Sequence, residues 1–349
     1  MRLLVFLLLV LTGVQPAAGA EQAALSPEVA RGFTEAHTLV EVQSGRKMNL
    51  YCMGEGQRTV LFDSGGSDWS VIWGLVQPAL ATNARACTYD RAGLGYSDAA
   101  PEPRSPIAIV EDMHAVIHSA QIKAPLVLVG HSLGGFNAKL YAALYPEDVA
   151  GMVLVDPAEE RSWDRTRSLI TKQFGDRLAA KAELLDQWFF GRLMQRYERC
   201  AAEARPNGLA PSSDAYRRCT DPVRQPLGPL IAAERQRLQA DAKYQSAQAS
   251  EIISSVYGDL DGDAVYARLF RSGMLGSRPL IVLTHGTYDP EDPLDALSQA
   301  QALELHRETA RLSKIGLQRT VPNSLHNIEI DAPDAIVEAV TEVLRKLRG

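Results

Sequence analysis

The chain holds only four cysteines in 349 residues, and none stands in a C-x-x-C pair or beside histidines at metal-ligand spacing. That argues against a cysteine-based metal centre. A basic cluster is also missing: 36 Lys and Arg face 42 Asp and Glu, for a net charge of −6. A mildly acidic chain of this kind argues against nucleic acid and anionic membrane surfaces as main partners. No internal repeat or low-complexity tract occurs. Beyond the first twenty residues no apolar run is long enough to cross a bilayer.

What is present begins with those twenty residues. "MRLLVFLLLVLTGVQPAAGA" has one positive charge at Arg2, an apolar core from Leu3 to Leu11, breaks at Gly13 and Pro16, and small residues at Ala18, Gly19 and Ala20. This pattern reads as a secretory signal peptide spanning 1–20, cut after Ala20. Export, to the periplasm or beyond, is therefore expected. No integral membrane segment is expected after cleavage. Removing twenty of the 349 residues would leave 329, and loss of Arg2 would take the net charge from −6 to −7. An oxidising compartment suits two disulfides among Cys52, Cys87, Cys200 and Cys219, with three pairings open from spacing alone.

Along the rest of the chain, "TLVEV" and "MNLYCM" read as an N-terminal hairpin turning at Ser44-Gly45-Arg46. "TVLFD", "ACTY", "LVLV" and "GMVLV" are short continuous apolar strands separated by segments of helix length, among them "WSVIWGLVQPALA". Over "SPIAIVEDMHAVIHSA", Ser105 is an N-cap and Pro106 the first helical residue. Strands buried on both faces and alternating with helices predict an α/β architecture, a mostly parallel sheet with helices on both sides. The alternation stops over 158–277, which reads as several helices broken by Pro and Gly at 206–211 and 226–228. It resumes with "PLIVLTHG", a helix over 295–312, "LQRTV" and a final amphipathic helix over 332–347. The simplest organisation is one α/β domain, 21–157 with 278–349, interrupted by a helical insertion at 158–277.

Gly130-His131-Ser132-Leu133-Gly134 breaks sharply between an apolar strand and a helix. Such a turn crowds strand against helix, so the positions two before and two after its apex must be glycine. The apex side chain then projects from the carboxyl edge of the sheet, at a helix N-terminus that favours negative charge. Ser132 is placed there as a nucleophile. A serine needs a base that titrates near neutrality, and a histidine meets that need.

The chain resembles the α/β-hydrolase fold superfamily, in particular exported bacterial serine esterase-like members with a helical cap. The resemblance rests on "DSGG" at 63–66, "YDRAGLGYSD" at 89–98, "GHSLGG" at 130–135, "GMVLVDP" at 151–157 and "SLHNIEIDAPDAI" at 324–336. It implies Ser132 as nucleophile and His326, before the last helix, as base. Two carboxylates satisfy the order Ser, Asp, His. Asp289 in "HGTYDP" matches the usual acid loop, and Asp156 ends the strand used by members that take the acid one strand earlier. The balance leans slightly to Asp156. The oxyanion would be held by the N–H groups of Leu133 and Gly66, with Ser64 standing where the family often has histidine. The family's sheet order sets "LYC" beside "ACTY", which implies a Cys52–Cys87 disulfide and leaves Cys200 to pair with Cys219.

Other residues weigh less. His285 ends a strand on the active edge, where it would line the site. His131 is constrained by the turn. His114 and His118 lie four apart on a helix and could pair for a metal, but no third ligand is evident, and they read as structural. Trp163, Phe174, Trp188, Phe189, Phe190 and Tyr197 in the insertion could line a substrate pocket or pack the cap onto the core. "DRAGLGYSD" reads as a tight structural loop.

These readings converge on cleavage of a small-molecule carboxylic ester through an acyl-enzyme, with no cofactor or metal. Peptidase, C–C hydrolase, acyltransferase or perhydrolase chemistry could run on the same residues. A serine nucleophile disfavours the dehalogenase and epoxide hydrolase chemistries of the fold, which use aspartate. A binding protein that kept the fold without catalysis is the contrasting class.

Overall fold

The computed structural model describes residues 25–258 and 260–348, and the segment read as a signal peptide lies outside them. Eight strands form one sheet: β1 (Thr38–Glu41), β2 (Lys47–Met53), β3 (Thr59–Asp63), β4 (Arg85–Tyr89), β5 (Leu126–His131), β6 (Val149–Val155), β7 (Leu280–His285) and β8 (Leu317–Val321). Their order is β1-β2-β4-β3-β5-β6-β7-β8. The β1–β2 and β2–β4 pairs are antiparallel and the others parallel.

The apolar runs are buried on both faces, which is why they lack polar alternation. In β5, Val127 and Val129 join one core layer, while Leu126 and Leu128 join the other. The first layer includes Ile336, Ala339, Val340 and Val343 of the last helix, Pro333–Lys346. The second includes Val110, Met113 and Val116 of the helix Pro106–Ser119, and Phe136 and Leu140 of Leu133–Leu144. In chain order the helices are α1 (Pro27–Gly32), α2 (Gln77–Leu80), α3 (Pro106–Ser119), α4 (Leu133–Leu144), α5 (Ser162–Phe174), α6 (Asp176–Ala204), α7 (Asp214–Cys219), α8 (Gly228–Gln239), α9 (Ala242–Ile253), α10 (Leu260–Leu269), α11 (Pro293–Ala310), α12 (Ile328–Asp331) and α13 (Pro333–Lys346).

Between β6 and β7 the chain leaves the sheet and forms α5 to α10, which is the inserted helical cap. The Ser105 hydroxyl accepts from the Ala108 N–H and caps α3, with Pro106 first in the helix. One expectation differs. "WSVIWGLVQPALA" is not a continuous helix but a 3-10 turn over Ser70–Trp73 followed by the single turn of α2. The tight turn draws Trp69 and Trp73 fully into the core, and the chain restarts as helix only around Pro78. Ahead of β1 stands the short helix α1, capped by Ser26, whose hydroxyl accepts from the Val29 N–H. The disulfides are Cys52–Cys87, between directly paired residues of β2 and β4, and Cys200–Cys219, between α6 and α7. Among the described residues no helix is long and apolar enough to cross a membrane.

Candidate active site

β5 ends at His131 and α4 begins at Leu133, so Ser132 alone makes the turn. Its φ of 48° and ψ of −117° lie where residues with a side chain are strained. The surroundings impose that geometry. A side chain at Gly130 would collide with the Gly134 carbonyl, and one at Gly134 with the Asp63 carbonyl. The Ser132 N–H donates to Val155 O at 3.0 Å, and its own carbonyl accepts from Gly135, Phe136 and Ala158. With the backbone so held, the Ser132 side chain lines a cavity with Gly66, Leu133, Phe190, Tyr197, Tyr257 and His326.

His326 lies in the loop between β8 and α12. Its Nδ1 is 2.6 Å from Asp156 Oδ2. A carboxylate can only accept, so Nδ1 carries the proton and Nε2 is left as the basic nitrogen. Asp156 follows β6, is almost fully buried and has a φ of 44°. It also accepts from the His285 N–H at 3.1 Å and meets His285 Nδ1 at 2.9 Å. Burial works against its ionisation, but the charge and hydrogen bonds of His285 and His326 outweigh it and hold the carboxyl well below the usual range. The same partnership raises the His285 imidazole against the effect of its own burial. Both Asp156 oxygens are thus engaged by imidazole, an arrangement suited to holding protons rather than a cation.

Asp289 is elsewhere. It stands in the exposed loop after β7, where its carboxylate accepts from the Glu291 N–H at 2.9 Å. Of the two carboxylates open from sequence, the structure brings Asp156 to His326 and leaves Asp289 away from it.

On the other side of Ser132, Gly66 lies in the loop after β3 and Leu133 opens α4, whose first N–H groups have no partner within the helix. That loop is clamped from two directions. Arg91, from the loop after β4, donates to Asp63 Oδ1 at 2.8 Å and to the Ser64 and Gly65 carbonyls at 2.6 and 2.7 Å. Glu251 of α9 bonds Arg91 through both oxygens at 2.9 Å and accepts the Ser67 N–H at 2.5 Å. The Tyr244 hydroxyl donates to Ser67 O, and Asp68 accepts from Arg224 and Arg235. Arg91 therefore gives the "DRAGLGYSD" loop its structural role, and Glu251 extends the clamp into the inserted helices.

Sequence reasoning missed several of these groups. Tyr257, in the turn after α9, lies within hydrogen-bonding reach of Ser132 and stacks on Phe190 with ring centres 4.3 Å apart. His131 Nε2 donates to the His326 carbonyl at 2.9 Å, and its Nδ1 is 3.3 Å from Glu329 Oε1. Burial and the nearby His326 push the His131 imidazole down to about 3, and burial drives the Glu329 carboxyl well above its ordinary value. The two side chains face each other without a hydrogen bond, and among the described residues neither His131 Nδ1 nor the Glu329 oxygens has another hydrogen-bond partner.

The six aromatic residues of the insertion divide. Phe190 and Tyr197 line the cavity, and Phe189 packs edge-on against Phe190. Trp163 and Phe174 pack around Ile170 and Leu297, between the insertion and α11. Trp188 is exposed. A second cavity, walled by Asp156, Ser162, Asp186, Gln301 and Leu305, adjoins the first and shares Phe190, Tyr257 and His326 with it.

This arrangement coincides with a sequence match. The profile of the alpha/beta hydrolase fold family matches residues 58–333. The chain belongs to that family. Among curated relatives it is 36% identical over 89 residues to a mouse (Lyso)-N-acylphosphatidylethanolamine lipase, covering 25% of this chain and 26% of that protein. It is 29% identical over 128 residues to Bacillus subtilis YbdG, covering 34% and 37% of the two chains. The chain thus spans well under two thirds of the length of the curated relatives it matches, from 15% to 42%. A thermophilic esterase from Thermogutta terrifontis superposes with TM-score 0.55 at 18% identity, over 89% of this chain and 98% of that one. An alpha/beta hydrolase fold protein from Burkholderia ambifaria superposes with TM-score 0.56 at 20% identity, over 88% and 99%. At these identities the likeness is one of fold.

Proposed function

We propose that the protein is an exported serine hydrolase that cleaves carboxylic esters through an acyl-enzyme on Ser132. The observation that carries this reading is the 2.6 Å contact of His326 with Asp156 in a loop that shares a cavity with Ser132 on its strained turn. On this reading Nε2 of His326 takes the Ser132 proton as the hydroxyl oxygen attacks the ester carbonyl carbon. Asp156 holds the tautomer and stabilises the imidazolium that forms. The developing oxyanion sits between the N–H groups of Leu133 and Gly66, aided by the N-terminal dipole of α4. The imidazolium then protonates the departing alkoxide, and water, activated by the same base, releases the acid and restores Ser132. Residues 158–277 act as the cap over this site, and Phe190, Tyr197 and Ile252 supply its apolar wall. The N-terminal signal and two disulfides support export.

The test is covalent labelling of the purified, disulfide-intact protein with a fluorophosphonate, followed by peptide mapping. The expected adduct is on Ser132, and it is lost in Ser132→Ala and strongly reduced in His326→Ala. A folded protein that takes no adduct would instead favour a binding protein on a hydrolase scaffold.

A further inference from the structure

The opposite edge of the sheet carries a second cluster of ligating side chains. α3 presents His114 and His118 one turn apart. The turn Pro146–Asp148, between α4 and β6, brings Asp148 up to both. His114 Nδ1 and His118 Nε2 each lie 3.5 Å from the same oxygen, Asp148 Oδ2. All three ligand atoms fall within 4.8 Å of one another. Around a tetrahedral zinc ion with bonds of about 2.0–2.1 Å, neighbouring ligand atoms stand about 3.3–3.5 Å apart. The two nitrogen-to-oxygen separations already match that edge length.

The surroundings orient two of the three ligands. The His114 ring lies flat on Tyr145, centres 3.8 Å apart and planes 8° apart. The fully buried Tyr141 donates its hydroxyl to Asp148 Oδ2 at 2.8 Å and reaches His114 Nδ1 at 3.1 Å. The hydroxyl meets Oδ2 and Nδ1 themselves, so it holds both side chains in place in the ion-free protein and gives up the Nδ1 contact when an ion binds there. His118 is the exposed member, with 56% of its side chain accessible, so an ion can enter from solvent and the ring can close over it.

We propose that His114, His118 and Asp148 bind a late divalent transition metal, zinc in the first place, with water completing the shell. Two imidazoles and one carboxylate suit zinc, copper or nickel better than magnesium or calcium. The ion would clip α3 to the turn that starts β6. Ser132 lies at the carboxyl ends of the strands, a strand length of about 20 Å away, so the clip acts on stability and not on the reaction.

The test uses the full, untagged chain, stripped with EDTA and dialysed. Zn²⁺ is titrated against a chromophoric chelator, and thermal unfolding is followed with and without the ion. The expected result is one equivalent bound and a raised Tm in the natural protein. Both should be lost in His118→Ala and Asp148→Asn. Hydrolysis of a chromogenic ester by His118→Ala should match the natural protein. Absence of binding at millimolar Zn²⁺ would overturn the proposal. So would equal binding by His118→Ala, which would put the ion on other histidines, such as those around Asp156.

Discussion

Exchanging one oxygen of Asp156 for an amide nitrogen is the smallest change that tests the site. Asp156→Asn keeps the shape but offers His326 a donor, favouring the wrong tautomer. It should lower kcat by about 10⁴ while leaving the protein folded. Asp289→Asn, on an exposed loop, should change kcat by less than about twofold, the range of ordinary surface substitutions. Chromogenic-ester kinetics on both variants would decide between the two carboxylates. Glu329 gives a subtler comparison. It is buried beside His131 Nδ1 without a hydrogen bond, so Glu329→Gln, which keeps the shape and cannot ionise, should keep nearly full activity. Ser132 and His326 could be singled out in the sequence because each stands in a short local pattern. Asp156 and Asp289 were not separable, since both follow strands at the same edge and only the fold says which carboxylate faces His326. Tyr257 and Glu329 left no local signal, because what gives them meaning lies 125 and 198 residues away along the chain, at Ser132 and His131.

At the scale of elements, the Arg91–Glu251 pair joins the loop after β4 to α9 of the insertion. Both side chains are almost wholly buried. Asp63 still neutralises Arg91 when Glu251 is changed, so the cost is that of the broken charged hydrogen bonds, about 1.5–3 kcal/mol each. Glu251→Gln should therefore lower the urea midpoint markedly. It should also reduce kcat more than it raises KM, because an amide has one oxygen to serve Arg91 and the Ser67 N–H where the carboxylate had two, and its NH2 meets an Arg91 donor, which loosens the Gly66 loop. Equal kcat in a folded Glu251→Gln would show that the loop holds itself. The strands and most helices could be read from sequence because a strand buried on both faces leaves an unbroken apolar run. The segment 69–81 could not. Trp69 and Trp73 have helical spacing, but Gly74 and Pro78 follow, and the demands of core packing set the backbone there.

For the whole molecule, acid sensitivity follows from buried carboxylates. Glu159 is buried, yet Lys139 and Arg165 overcome that burial and hold it at about 2. In an unfolded chain its value is about 4.3. A carboxyl depressed in the folded state contributes stability above its unfolded value and loses it as pH falls towards the folded one. Asp156 acts in the same direction. The Glu159 contribution to the urea midpoint should therefore hold down to about pH 5 and be lost between about pH 4 and 2, while His131, kept neutral by burial with a value of about 3, adds a fall that begins below about pH 6.5. Lys139→Met should be less stable at neutral pH and should show a shallower fall on acidification. The alternation of strand and helix made the overall architecture readable, and the helical character of 158–277 with it. The ties between that insertion and the loop beside Ser132 were not readable, since they pair charges more than 150 residues apart.

Those ties bear on how a substrate can arrive. Glu251, Tyr244, Arg224 and Arg235 all reach from the insertion into residues 67 and 68 or onto Arg91. Swinging the insertion away as a rigid hatch would pull the supports from the loop that carries Gly66. An open molecule of that kind would be a switched-off one. On the proposed function, traffic in and out would then pass along the cavity wall formed by Phe190, Leu193 and Tyr257 while α9 stays docked. Entry would be set by those few side chains, like the bore of a fixed nozzle, and the range of acceptable substrates by what can thread past them.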